Sequence, residues 1–412
     1  MNIKLLKMRM EGLSLYEDKT LEINLMTTSR VPSEDVDTHV VEHLSGSFYK
    51  QNVLAFSGIN ASGKTTTLKI FSFILDTFIE NNSLEHVKNE EILSQFEDEC
   101  SITTYYYWQM KLYELTSRIA KNDLGHFYFV DEWLKIKPFK ENIAKKKLLD
   151  FDETPPSLTR KSEEKAAMGY LRQDTSIFMK ILYEARMSDN ERYVFDMTDY
   201  TNVNILTNRS EIPVGFIQYL DSSIESLEFI NSNDVSKYSN LILRVKFSGQ
   251  DPQDISVMDL WKYLSSGTIK GINLLMQIEH VLHSGGYIII DEIENHLNKT
   301  IVITLINLFK SKMNRHHATL IFSTHYSEIL DDMERNDSIY FTRKKNGKIQ
   351  VFPLSNHLSR SDKKKSAVYL SGLLGTAPKY NDYMNLKKSI NQSLQDKTRV
   401  TEMNSSKRND HV

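Results

Sequence analysis

Gly58-Ile59-Asn60-Ala61-Ser62-Gly63-Lys64-Thr65 is the stretch that decides the reading of this 412-residue chain. It has the spacing G-x-x-x-x-G-K-T. Residues 53–56 (Val-Leu-Ala-Phe) before it predict a short buried strand. Residues 66–79 after it predict an amphipathic helix, with apolar side chains at Leu68, Ile70, Phe71, Phe73, Ile74 and Leu75. Strand, glycine-rich loop and helix in that order are the context of a phosphate-binding loop. The glycines let backbone N–H groups curl around a β-phosphate, and the helix N-terminus adds its positive dipole end. The candidate phosphate contacts are Gly58, Asn60, Ser62, Gly63, Lys64, Thr65 and Thr66. Lys64 would pair with the β- and γ-phosphates of ATP, and the Thr65 hydroxyl would sit on Mg²⁺.

Composition sets the outer bounds. The net charge is −3, so no global field marks a nucleic-acid binder. The single cysteine, Cys100, excludes an intrachain disulfide and a cysteine-built zinc site, and reads as a small buried residue. No apolar run approaches the ~20 residues that span a bilayer. Residues 1–10 alternate Lys with apolar residues and lack the long apolar region of a signal peptide. The expected location is the cytoplasm, with no membrane partner.

Along the chain, residues 3–10 and 21–25 predict two strands, 26–51 a loop, 83–96 a helical stretch, and 100–110, 112–119 and 126–136 three β-segments. Tyr105-Tyr106-Tyr107-Trp108 reads as a strand packing on a core rather than a base-stacking platform. The expected division is an N-terminal lobe (1–136), a charged, mainly helical insertion (137–212), a C-terminal lobe (213–380) and a polar, partly disordered tail (381–412). Within these, 214–220 and 240–247 predict strands and 257–264 a helix. Lys145-Lys146-Lys147 reads first as a solvated face, with contact to DNA or a partner as the alternative.

Three downstream stretches supply the rest of a site. Tyr287-Ile288-Ile289-Ile290-Asp291-Glu292 is a buried apolar strand ending in two acids, the Walker B pattern. Asp291 would hold Mg²⁺, and Glu292 would polarise the attacking water. Ala318-Thr319-Leu320-Ile321-Phe322-Ser323-Thr324-His325 is another buried strand, ending in a histidine 34 residues past Asp291, about one strand–helix–strand unit. That spacing puts His325 at the neighbouring strand end, facing the γ-phosphate. Ser265-Ser266-Gly267-Thr268 opens a helix 24 residues before Asp291. Alone it is an ordinary N-cap; its position upstream of the acids gives it more weight.

P-loop, inserted region, signature, Walker B and histidine, in that order, resemble the ABC-type ATPases. Asp291-Glu292-Ile293-Glu294-Asn295-His296-Leu297-Asn298 resembles their Walker B plus D-loop, with Asn298 where the family has aspartate. The Asp-Glu-Ile run, Ser-Ser-Gly-Thr in the signature and a strand pair before the P-loop resemble, more narrowly, the soluble SMC/OLD/RecF-like group catalogued as AAA fifteen. Arg335-Asn336-Asp337-Ser338-Ile339-Tyr340-Phe341 is similar to that group's last core strand, and residues 369–378 to its closing motif. Glu132 and Gln218 are the candidates for a Q-loop residue.

The resemblance implies an α/β fold: an ABC-type P-loop ATPase head with an N-terminal antiparallel β-lobe and a helical insertion. It implies that Lys64, Thr65, Asp291, Glu292 and His325 act in cis, with Ser265, Ser266 and Gly267 completing the site of a second copy around two ATPs. Lys64, Glu292 and His325 are then the catalytic set, and Thr65 and Asp291 the metal set. Relatives of this group commonly belong to bacterial defence against phage. With no Toprim or His-Asn-His nuclease pattern in the chain, a separate effector protein, nuclease or toxin, is expected. The alternative is a RecF-like DNA-repair or DNA-clamping ATPase, with DNA bound through Lys145–Lys147 or Lys363–Lys365. A transporter subunit fits the signature poorly.

Overall fold

The computed structural model describes residues 3–86, 89–166, 171–186, 193–200, 204–207, 211–230, 241–358, 363–372, 374–375 and 380–409. Two six-stranded sheets organise them. The core sheet has the spatial order Val194–Met197, Tyr287–Ile290, Thr319–Thr324, Val53–Ser57, Ile339–Lys345, Lys348–Pro353. All neighbours are parallel except the last pair, a hairpin. The central strands are buried on both faces, which is why they read as continuous apolar runs.

Alternation along these strands divides the interior in two. Leu54, Phe56, Ile289 and Ile321 point into one core, and Val53, Ala55, Ile288, Ile290, Leu320 and Phe322 into the other. The first core also takes the helix Lys64–Phe78 and the second sheet. That sheet is wholly antiparallel, in the order Thr20–Asn24, Lys4–Leu13, Phe96–Trp108, Lys111–Lys121, Phe127–Pro138, Pro156–Thr159. The second core is closed by the helices Ser266–Ser284 and Lys299–Phe309. The phosphate-loop helix therefore lies between two sheets. A three-stranded antiparallel sheet (Ile224–Ile230, Ile242–Phe247, Gln253–Ser256) forms a satellite core ahead of the signature helix. The result is the expected mixed α/β head with an antiparallel N-terminal β-lobe.

Several expectations need correction. The described residues of 137–212 do not form a mainly helical insertion. Among the described residues they hold three short helices, Lys145–Leu148, Arg160–Ala166 and Met179–Arg186. Two strands from the same stretch belong to the main sheets: Pro156–Thr159 extends the antiparallel one, and Val194–Met197 is the edge of the parallel one. Val194 enters one core and Phe195 the other, so this stretch is part of the body. Residues 26–51 contain a hairpin, Val41–Ser45 with Phe48–Gln51. The helical stretch expected at 83–96 reduces to Glu90–Leu93, with 87–88 outside the described residues.

Val214–Leu220, expected as a strand, is a helix that begins directly after Pro213. Its Leu220 fits against Gly271, where a Cβ would come within 2.6 Å of Leu220 Cδ2. The tail, expected to be partly disordered, forms the helix Tyr380–Asn409, 30 residues without Gly or Pro. Asn240 of the expected 240–247 strand, Leu373 and residues 376–378 of the closing motif, and residues 410–412 lie outside the described residues. Among those that are described, no helix is long and apolar enough to cross a membrane.

Candidate functional site

Parallel strands deliver their C-terminal ends to one edge of a sheet, and ligands bind at that edge. Here Val53–Ser57 runs into the glycine loop, Tyr287–Ile290 stops at Asp291, and Thr319–Thr324 stops at His325. The pairings Ile290↔Phe322 and Thr324↔Ser57 keep these ends level.

The loop's glycines are required by contact. A Cβ on Gly58 would lie 2.3 Å from the Thr342 carbonyl oxygen. Gly63 has φ 102°, and a Cβ there would lie 2.7 Å from Ile349 Cδ1. Ser62 Oγ is 2.6 Å from Thr342 Oγ1, tying the loop to the next strand. Gly63 then opens the helix that starts at Lys64.

Lys64 Nζ donates to the carbonyls of Gly58 (2.9 Å) and Ile59 (3.2 Å) and lies 3.3 Å from His325 Nδ1. Burial pushes its ammonium down to about 8, against the pull of Asp291, Glu292 and Glu294. Thr65 Oγ1 donates to Asp291 Oδ2 at 2.6 Å. His325 Nε2 is 3.3 Å from Glu292 Oε1, and the His325 N–H donates to Glu294 Oε1 at 2.5 Å. Glu292 adopts φ 48°, which turns its side chain out of the strand direction at the junction. Lys64, Thr65, Glu292 and His325 share a cleft of about 420 Å³ with Asn60, Ser62, Gly63 and Thr66.

The donor set fits a magnesium nucleotide. Among the described residues, no group of three or more His, Cys, Asp or Glu side chains is arranged to hold a metal by itself. Thr65 and Asp291 offer one hydroxyl and one carboxylate beside the phosphate loop. That suits Mg²⁺, which usually takes one or two protein carboxylates and completes its shell with phosphates and water.

Ser265, Ser266 and Gly267 do not line this cleft. Ser265 caps its helix, accepting the Thr268 N–H at 3.0 Å. Gly267 sits against the turn after Walker B, where a Cβ would lie 2.4 Å from the His296 carbonyl oxygen. Ser266 Oγ is 3.2 Å from His296 Nδ1. Asn298 is itself an N-cap, accepting the Thr300 N–H at 2.9 Å.

Neither Q-loop candidate reaches the site. Glu132 is fully buried, paired with Arg160 at 2.8 Å and bonded to Ser117, Ser176 and the Ile177 N–H. Gln218 is exposed on the helix Val214–Leu220. In the lysine runs, Lys145, Lys147, Lys363 and Lys364 are exposed, and none of them lines the cleft. Lys365 is buried near Asp331 and Glu334, and Lys145 lies beside Arg335 and Asp337.

Sequence reasoning missed two supports of the site. Ser323 donates to Asp291, and Tyr200 OH donates to the carbonyls of Glu292 (3.2 Å) and Ile293 (3.3 Å). Ser323, with Thr324, is a polar residue at the end of a mostly apolar strand, which is the signal that could have found it. Tyr200, just past the short edge strand, carries no local signal.

A glycine loop, two acids and a histidine at adjacent ends of a parallel sheet define a P-loop ATPase fold. Residues 214–331 match the family model described as "AAA domain, putative AbiEii toxin, Type IV TA system". No curated protein matches the chain in sequence. Among solved structures, the fold is similar to an SMC head bound to the C-winged helix domain of ScpA (14% identity, 86% of this chain and 99% of that chain covered, TM-score 0.48). It is also similar to the SMC head domain from Thermotoga maritima (12% identity, 85% and 98% covered, TM-score 0.41).

Proposed function

We propose that this chain is a Mg²⁺-dependent ATPase working as a nucleotide-driven dimeric switch. The observation that carries this reading is the Thr65–Asp291 contact of 2.6 Å, in a site where His325 lies within 3.3 Å of both Lys64 and Glu292. Bound ATP and Mg²⁺ supply the reacting phosphoryl group and its charge neutralisation. Lys64 is placed to exchange its loop carbonyls for β- and γ-phosphate oxygens. Thr65 and Asp291 hold the metal side, Glu292 orients and deprotonates water, and His325 faces the transferred group.

The turned-away signature supports the dimer. Ser265, Ser266 and Gly267 are outside their own cleft, and the resemblance to ABC-type ATPases gives them the γ-phosphate of a second copy. ATP then binds the closed dimer better than the open one, and hydrolysis reverses the preference. The family description matched by residues 214–331 supports a place in a bacterial toxin–antitoxin or defence system, with this chain as the switch for a separate effector.

The test is the mass of Glu292→Gln with and without ATP-Mg²⁺, with the neighbouring genes co-expressed. A dimer that appears only with ATP is expected, and a second protein co-eluting with it supports effector gating. A monomer under both conditions overturns the switch. Lys64→Ala should lose nucleotide affinity itself, and undiminished binding would overturn the phosphate-loop assignment.

A further inference from the structure

The sheet order gives the nucleotide cleft a direction. The Walker B and histidine strands lie on one side of the strand Val53–Ser57, and the hairpin Ile339–Lys345/Lys348–Pro353 lies on the other. A triphosphate on the loop with its γ end toward Glu292 and His325 points its sugar and base toward the hairpin. At that end the cleft is lined by Leu15, Lys344, Gly347 and Ile349.

This end is rigidly built. Asn346 and Gly347, at φ 52° and 78°, make a tight turn closed by the pair Lys345↔Lys348. The turn is laced to the segment after the first strand. The Ile349 N–H donates to the Leu15 carbonyl at 2.8 Å, and Lys348 Nζ donates to the Ser14 carbonyl at 2.6 Å. Ile349 also packs on Gly63, so the base end and the phosphate end are held in one register.

Its chemistry is sparse. Leu15 is 40% exposed and Ile349 is aliphatic. The polar side chains beside them are engaged with one another, Arg343 and Glu17 both bonding to Gln350. Among the described side chains lining this end, Lys344 is the one donor, and none is an acceptor.

We propose that Leu15, Ile349 and the 344–347 turn form the base seat of this site, gripping a purine by aliphatic contact without reading its 6-substituent. The inference rests on the nucleotide reading above and goes beyond it in naming the ligand class: purine nucleoside triphosphates, not ATP alone. Sites that hydrogen-bond a substrate group reject analogues lacking it by about 10⁴-fold or more, whereas apolar pockets discriminate weakly. With no side-chain acceptor for the adenine amino group among the described lining residues, adenine has no such advantage over guanine.

The test is calorimetric binding of ATP, GTP and inorganic tripolyphosphate, each with Mg²⁺, to the full chain, to Leu15→Ala and to Lys344→Ala. ATP and GTP are expected to bind within about threefold of each other. Leu15→Ala should weaken both by about tenfold, the loss expected for part of a leucine's burial, and leave tripolyphosphate unchanged. Lys344→Ala, at an exposed position, should change ATP and GTP affinity alike, and a loss confined to GTP would overturn the unselective seat. Equal nucleotide affinity in Leu15→Ala and wild type, or a preference for ATP above about 100-fold in wild type, would overturn the base seat. Failure of wild type to bind any of the three would instead overturn the nucleotide reading.

Discussion

Ser323 Oγ accepts the backbone N–H of Glu292 at 2.8 Å and, with its own proton, donates to the Asp291 carboxylate. One hydroxyl on the neighbouring strand thereby sets the direction of both acids. Glu292 depends on it most, since a non-glycine residue at φ 48° persists only where its surroundings fix it. Ser323→Ala should lower kcat for ATP by about tenfold or more while changing nucleotide affinity little, the pattern of an interaction used in the transition state. Steady-state kinetics beside equilibrium binding check this; an unchanged kcat would free Ser323 of the role.

Gly267→Ala should separate binding from turnover. The added methyl meets the His296 carbonyl at 2.4 Å, so the helix start or the 292–298 turn must move. The helix start lies outside the cleft that holds Lys64 and Thr65, and of the turn only Glu292 lines it. ATP affinity of the monomer should stay near wild type, while ATP-dependent dimerisation and hydrolysis fall by about 10²-fold or more, as for loss of an oriented oxyanion donor. Light scattering in ATP with Glu292→Gln as the background gives the readout.

Glu132→Ala should be a stability mutant and nothing else. It removes the buried carboxylate partner of the Arg160 guanidinium, which is only 1% exposed and keeps Glu164 and the Arg172 and Thr175 carbonyls, and it breaks the bonds to Ser117, Ser176 and Ile177. Removing one partner of a buried pair costs about 3–5 kcal/mol. Chemical denaturation should show that loss, with ATP affinity of the folded fraction unchanged. A selective loss of hydrolysis would instead return Glu132 to the active site.

Stability should climb with pH above neutrality because of Lys50. Full burial pushes its ammonium down to about 7, opposed by Glu42 and reinforced by Lys4. The unfolded chain holds that proton to about 10.5, so between the two values the unfolded state binds more protons and unfolding becomes less favourable as pH rises. His317 acts in the same sense at lower pH: burial lowers it to about 4, so stability is lost as pH falls from 6.5 toward 4. Lys50→Met should flatten the alkaline rise of Tm by several degrees and leave the acid limb in place. An unchanged alkaline slope would show that Lys50 is not its source.

The site was legible where its residues sit in runs with one dominant period. Residues 53–57, 287–290 and 319–324 are buried on both faces and mostly apolar, and the glycine loop has fixed spacing. The structure bears out those strands and brings Lys64, Thr65, Asp291, Glu292 and His325 together. What stayed hidden was decided by distant contacts. Val194–Met197 is four residues long and becomes a strand because Tyr287–Ile290 offers it an edge. Val41–Ser45 and Phe48–Gln51 carry Glu42 and Lys50, which read as loop until Lys4 and Thr319 provide their partners. Val214–Leu220 has strand-like composition, yet its burial on Gly271 of the signature helix favours a helical turn. In each case tertiary packing overrode local preference.

The strand that carries the phosphate loop, Val53–Ser57, is flanked by Thr319–Thr324 and Ile339–Lys345. Both neighbours are translated some 260 residues or more after it. A ribosome making this chain exposes Lys64 early, but the loop has no walls until the segment ending near Lys345 has left the exit tunnel. Most of the protein is therefore synthesised before it can hold a nucleotide, and the slow step of its maturation should be the arrival of those two late strands on either side of an early one.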